Sequence, residues 1–325
     1  MKRFLSKVAV YIVAVVSLTL FINGIYVNKR VSSNVYDYVP ADIEICNLGS
    51  SHAEHGFYYK DLEDEYTCFN FALGAQMLSY DYRILFHYQD HLKAGGVVIV
   101  DISYFAPWGY PETKSDSFES KNRRYYTILP PSLIKNFDLY TYMLESRIPS
   151  LNAGMLNVLE ILLSKKQPLT DIPKSYPEVE DTVDRSTLKD DVRDSCERHI
   201  FTSKRNEDGE LFLNEEEVQA LYDIVEICRE HNVTPVFVTV PYLKEYTDEI
   251  QRRDEDFFEQ FSSWINTVAD ETGVEYFDYS RDERFMYDYS LFYNGDHMNS
   301  AGARKFTDIL FEEVIQQRIG DTAER

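Results

Sequence analysis

From residue 8 to residue 27 the chain runs 20 positions without a charged side chain, mostly Val, Ile, Leu, Ala and Phe. At about 1.5 Å per helical residue the run spans about 30 Å, the hydrocarbon thickness of a bilayer. A buried core helix rarely runs so far without a charge. A cleaved signal peptide would have a shorter apolar stretch, and no A-x-A-like site follows Ile25. The pattern predicts an uncleaved membrane anchor, with residues 1–30 as cytoplasmic tip and transmembrane helix and 31–325 as one α/β domain. The remaining chain alternates short apolar runs with helical periodicity. β-type runs fall at residues 43–48, about 66–71, 96–102, 236–240 and 274–277. Between them, Val218, Leu221, Ile224, Val225 and Cys228 mark one buried helical face. Phe257, Phe258, Phe261, Trp264, Ile265 and Val268 mark a second, which ends before Gly273. Phe306, Ile309, Leu310 and Val314 mark a last helix capped by Asn299 or Ser300. Strands separated by helices predict a doubly wound, mainly parallel five-stranded sheet of the flavodoxin-like kind.

Residues 105–214 break this rhythm. They are richer in Pro, Tyr and charge, with Pro130-Pro131, an apolar helix-like patch at 151–163 and a polar segment at 168–194. They read as an insertion after the third strand, long enough to cover the carboxyl edge of the sheet as a lid or substrate surface.

Charge adds compartment and orientation. The chain has 33 Lys and Arg against 55 Asp and Glu, a net charge of −22. Residues 1–30 hold five basic side chains and no acid, so the other 295 carry 28 basic and 55 acidic groups, a net −27. Lys2, Arg3, Lys7 and the α-amine outweigh Lys29 and Arg30, so the positive-inside rule sets the N-terminus in the cytoplasm of a bacterial cell and the acidic domain outside. Such a surface repels nucleic acid. A strongly anionic polymer meets the same repulsion, which favours a neutral glycan ester as substrate. Cys46, Cys68, Cys196 and Cys228 lack zinc-ligand spacing, and Cys46 and Cys228 fall in apolar, periodic segments as small core residues.

Candidate chemistry lies where parallel strands end at their carboxyl side. The first strand is followed by Gly49-Ser50-Ser51-His52, and the last helix is preceded by Asn294-Gly295-Asp296-His297-Met298-Asn299. A serine hydroxyl is a weak nucleophile unless a base takes its proton, and a histidine is suited to take and return one. Ser51 could equally cap the helix that follows, and His297 could be a satisfied core residue. His52 and His55, with Glu54, suggest a metal pair, but no third ligand accompanies them; no metal and no cofactor is expected. Clusters such as Tyr80-Asp81-Tyr82, Tyr125-Tyr126 and Tyr140-Thr141-Tyr142 could stack on sugar rings.

On these residues the sequence resembles the SGNH/GDSL hydrolase superfamily. Gly49-Ser50-Ser51 matches the nucleophile block, Gly74 the glycine after the second strand, and His297 with Asn299, Ala301 and Gly302 the closing histidine block. The likeness covers residues 41–105 and 232–315 and leaves the insertion unmatched. It implies a Ser51–His297 pair, with the backbone N–H groups of Ser51 and Gly74 holding the oxyanion. The family's Asn after strand three is absent from Asp101-Ile102-Ser103-Tyr104-Phe105, which leaves Ser103 as a side-chain donor in its place. Its Asp three residues before the histidine is Asn294 here, so the imidazole is oriented by Asp296 or by Asn294. A membrane-tethered form is similar to the DltD-like and alginate-acetylation branch. That likeness implies a serine esterase or O-acyltransferase acting on acyl, chiefly acetyl, esters of cell-envelope or extracellular glycans, with a membrane-bound acyltransferase as a possible partner. The alternative, favoured by the two departures, is an inactive SGNH-fold module that binds glycans or scaffolds such an acyltransferase.

Overall fold

The computed structural model describes residues 1–29, 32, 34–109, 122–165, 173–202 and 204–320. Arg30 of the anchor's basic flank and residues 168–172 of the polar segment lie outside them. The chain forms two compact units. One is built from the first 38 residues and the described part of 113–174, the other from the described parts of 39–112 and 175–325.

The first helix, α1 (Lys2–Lys29), has a mean hydropathy of 2.3 over its apolar window and leaves nearly all of it exposed. A helix of that length and composition is able to cross a membrane.

In the second unit β1 (Ile43–Leu48), β2 (Cys68–Asn70), β3 (Leu92–Asp101), β4 (Thr234–Thr239) and β5 (Tyr276–Asp278) form one all-parallel sheet in the order β2-β1-β3-β4-β5. This is the doubly wound order of flavodoxin-like folds, whose ligands bind outside the carboxyl ends of the strands where the winding reverses. β1 and β3 stand side by side at that reversal, with Asn47 opposite Ile99 and Leu48 opposite Val100. Both are apolar runs because helices cover both faces of a parallel sheet. Ile45, Leu48, Val98, Ile99 and Val100 are fully buried.

Four strands differ in extent from the apolar runs. β2 keeps only three residues and stops at Asn70, whose amide turns inward to donate to the Ala53 and Glu54 carbonyls. β3 begins early, at Leu92, through an irregular pairing between Ile43 and Ile45 beside Gly95 and Gly96. β4 begins two residues before its run and ends one before, and β5 begins two residues later and ends one later. The runs marked apolar content, whereas strand ends are set by where ladder bonds give way to side-chain partners.

The chain leaves β1 through α2 (Ser51–Glu54) and returns to β3 through α3 (Leu78–Tyr88). Of the insertion, α4 (Pro149–Asn152) and α5 (Met155–Leu163) belong to the first unit, whereas α6 (Leu188–Cys196) belongs to the sheet unit. There follow α7 (Glu215–Glu230), α8 (Lys244–Arg253), α9 (Phe257–Thr272) and α10 (Ser300–Leu310). α9 buries Phe257, Phe261, Trp264, Ile265 and Val268 and ends at Gly273 in the left-handed conformation. Phe258, on the edge of that face, is half-buried under the Arg281 guanidinium. All four cysteines are free thiols; Cys46, Cys196 and Cys228 are buried and Cys68 is half-buried.

Asn299 caps α10 by accepting from Gly302 N at 3.0 Å. A Cβ on Gly302 would lie 2.1 Å from the Leu291 carbonyl oxygen. That oxygen also accepts from Asn299 N and belongs to the loop that carries His297. Gly302→Ala therefore forces this loop off the helix and is expected to cost about 2 kcal/mol, read from urea unfolding at an unchanged m-value. An unaltered midpoint would show that the loop yields freely.

Candidate active site

The first strand ends in a turn that only glycine can make. Gly49 has φ +137°, and a Cβ there would sit 2.7 Å from Asp101 Cβ and 2.8 Å from Ala53 Cβ. Its N–H donates to the buried Asp81 carboxylate at 2.8 Å. Ser50 then takes an extended conformation and accepts from His52 N, capping α2, so that Ser51 is the first helical residue. The cap is thus Ser50, which leaves the Ser51 hydroxyl free of that role.

Ser51 Oγ lies 2.8 Å from His297 Nε2. The imidazole is 9% exposed and is contributed by the loop before α10, 246 residues further along the chain. On the far side of the ring, Nδ1 lies 3.1 Å from Asn294 Oδ1 and 3.2 Å from Asp296 Oδ1. Asn294 meets the angular requirement of a hydrogen bond, and its Oδ1 also accepts from the backbone N–H groups of Asp296 and His297. Asp296 contributes the charge. The two candidates for the orienting group both reach the ring, one by direction and one by electrostatics.

Asp296 is 1% exposed and gathers four partners. His52 Nε2 is 2.9 Å from Oδ2 and His199 Nδ1 is 3.3 Å from it. Ser195 Oγ donates to Oδ1 at 3.0 Å, beside His297. Burial alone would raise this carboxyl, but the adjacent His297 and the hydrogen bond of His52 outweigh it and hold the group well below the usual carboxylate range. Burial lowers His52, and it pushes His55 down to about 4 and His199 down to about 3. Of these three imidazoles His52 is the one hydrogen-bonded to the buried anion; His199 Nδ1 lies 3.3 Å from Tyr246 Oη as well as from Asp296, and His55 Nε2 lies 3.4 Å from the Tyr293 hydroxyl.

Ser103 goes elsewhere than the sequence suggested. Its hydroxyl donates to Asp101 Oδ2 at 2.5 Å and lies 3.0 Å from Ser50 Oγ and 3.3 Å from His52 Nδ1. It is engaged beneath the turn, and among its described hydrogen bonds none reaches Ser51. The nomination as an oxyanion donor is corrected on this ground: a hydroxyl has one proton, and Asp101 takes it. Gly74 does stand against Ser51, since a Cβ on it would lie 3.9 Å from Ser51 Cβ and 3.4 Å from Glu54 Oε2. The Ser51 N–H, at the first position of a helix, has no acceptor within α2.

Two acids lie below the turn. Burial raises Asp81 to about 8 and Asp101 to about 7, against the opposing pull of the hydrogen bonds from Gln76 and Ser103. His52, Asp296 and His297 offer ligand atoms within 4.8 Å of one another. An ion among them would displace the Asp296–His52 contact and compete with Ser51 for His297. Beside Asn294 opens a cavity of about 550 Å³, lined also by Asp191, Asp194, Ser195, Glu197 and Arg198.

Sequence reasoning missed His52 as the partner of Asp296, and missed Ser195 and His199. His52 was visible as the neighbour of Ser51, but was weighed only as a metal ligand. Ser195 and His199 sit on α6 and the π-helical turn Glu197–Phe201 after it, inside the insertion, where no motif marked them.

No known protein-family signature matches the chain, and no curated protein matches it by sequence. Among solved structures it is similar to a Bacteroides fragilis protein provisionally named an acylhydrolase, at 11% identity over 87% of this chain and 93% of that one, with a TM-score of 0.41. It is also similar to a Streptococcus pneumonia protein provisionally named a platelet activating factor, at 10% identity over 94% of this chain and 97% of that one, with a TM-score of 0.38.

Proposed function

We propose that this protein is a membrane-tethered serine esterase or O-acyltransferase of the SGNH type, acting on acyl, chiefly acetyl, esters of cell-envelope or extracellular glycans. The observation that carries the reading is the 2.8 Å contact between Ser51 Oγ and His297 Nε2 at the carboxyl edge of a doubly wound sheet, with a buried anion behind the imidazole. Ser51 Oγ forms a bond to the acyl carbon while His297 Nε2 takes its proton. The ester C–O bond then breaks, and the leaving alkoxide recovers that proton from His297. The backbone N–H groups of Ser51 and Gly74 receive the oxyanion. Water or a sugar hydroxyl resolves the acyl-serine by the same steps in reverse. Three carboxylates against one guanidinium line the adjoining cavity, which supports a neutral rather than a polyanionic substrate. The apolar α1 is the tether, with its N-terminus in the cytoplasm and the sheet unit outside. The test is a serine-directed fluorophosphonate on the full chain in membranes, with the adduct mapped by mass spectrometry. Modification of Ser51, and hydrolysis of a small acetyl ester, are expected. A protein that is folded but inert to both returns to the reading of a non-catalytic glycan-binding or scaffolding module.

A further inference from the structure

Exposed apolar side chains are concentrated in one part of the chain. Outside Met1 and α1, nine of the twelve large apolar residues left exposed among the described residues fall between positions 137 and 163. Five of them, Leu151, Met155, Leu156, Leu159 and Leu163, lie on α4 and α5. α5 reads Met-Leu-Asn-Val-Leu-Glu-Ile-Leu-Leu, and none of its side chains is buried. Asn157 and Glu160 are its only polar residues, and its exposed apolar side chains, Met155, Leu156, Leu159 and Leu163, form a patch that soluble surfaces rarely leave uncovered.

The same two helices are fastened to the apolar anchor. Asn23 Nδ2 donates to Arg147 O at 3.0 Å and its Oδ1 accepts from Ser150 N at 3.2 Å. Lys29 Nζ donates to the carbonyls of Leu162 at 2.5 Å and Ser164 at 2.8 Å, at the end of α5. These contacts engage the last two turns of α1, where an anchored helix leaves the hydrocarbon. A lysine at that level keeps its ammonium among the headgroups, which sets the depth of the carbonyls it binds. Nine residues reach about 13 Å, too short to span the bilayer but suited to its interface.

We propose that α4 and α5 form a second membrane-seated element, with the bilayer that holds α1 covering their exposed apolar face. This rests on the tether reading above and not on the esterase reading. Lys165, which follows α5 directly after Ser164, is placed to meet anionic headgroups.

The experiment places single tryptophans in the full chain, reconstituted in vesicles of phosphatidylcholine and phosphatidylglycerol with or without brominated acyl chains. Leu159→Trp and Leu163→Trp report on α5, Val13→Trp on the anchor, and Tyr287→Trp on an exposed site of the sheet unit. The parent, with Trp108 and Trp264, supplies the background. Bromolipid is expected to remove about half of the added emission of Leu159→Trp and Leu163→Trp, as for Val13→Trp, and none of that of Tyr287→Trp. Emission from α5 that behaves like that of Tyr287→Trp overturns the proposal. So does emission that is blue-shifted but indifferent to bromolipid, which would mean that a protein surface, such as a second copy, covers the helix. If Val13→Trp is also unaffected, the tether and the second membrane-seated element fall together.

Discussion

Ser51→Ala is expected to abolish fluorophosphonate labelling and to lower the turnover of a small acetyl ester by about 10⁴-fold, with the melting temperature within about 2 °C of wild type. The size of the loss follows from the arrangement. Only Ser51 Oγ faces His297 Nε2 at 2.8 Å. The neighbouring Ser50 Oγ is turned down to Ser103 and the His52 N–H and is itself only 3% exposed. Among the described residues no second hydroxyl is poised to substitute, so what remains is the backbone donors acting on solvent hydroxide. The small stability effect follows because Ser51 is half-buried and does not serve as the cap of α2. Ser50→Ala should do the reverse, removing the cap and weakening the turn. Retention of more than about a tenth of wild-type turnover in Ser51→Ala would end the acyl-serine mechanism, since truncating a nucleophile leaves far less than that.

How much of this was legible in the residues depends on which contacts are local. The sheet and its helices could be read because periodicity records burial: β1, β3, β4 and the faces of α7, α9 and α10 are apolar where they are covered. The parallel, doubly wound character of the sheet follows from alternation of strand and helix. Gly49-Ser50-Ser51 and His297 could be singled out because each lies at a strand end or helix start, positions that sequence marks. The environment of Asp296 could not. Its partners come from α2, from α6 and the turn after it, and from its own loop, separated by 244 and 101 residues for His52 and Ser195. No local pattern encodes a contact of that range. Ser103 failed for a related reason. Its place at the end of β3 was correct, but the buried Asp101 two residues earlier claims its proton.

Asp296→Asn is expected to lower turnover by about 10³-fold, against about tenfold for Asn294→Ala, measured on the same ester at neutral to alkaline pH. Asn294 Oδ1 directs the ring but is neutral, so it cannot offset the charge that His297 acquires as it takes the proton from Ser51. Asp296 can, because it is ionised, 3.2 Å from Nδ1, and shielded from solvent. Its replacement by an amide also sets an NH₂ group against donors, since His52 and Ser195 are arranged around an acceptor. The effect on pH stability has a definite sign. A carboxyl held below its unfolded value stabilises the fold above about pH 4, and that contribution is lost as pH falls through the folded value. Asp296→Asn should therefore narrow the gap in stability between neutral and acidic pH. His52→Leu should imitate part of the catalytic loss without touching Ser51 or His297, because Asp296 would lose the donor that fixes Oδ2, whereas His52→Gln should recover most of it. Should Asn294→Ala prove the more damaging of the two substitutions, the orienting group is Asn294. The buried carboxylate would then be a structural anion around which the three imidazoles pack.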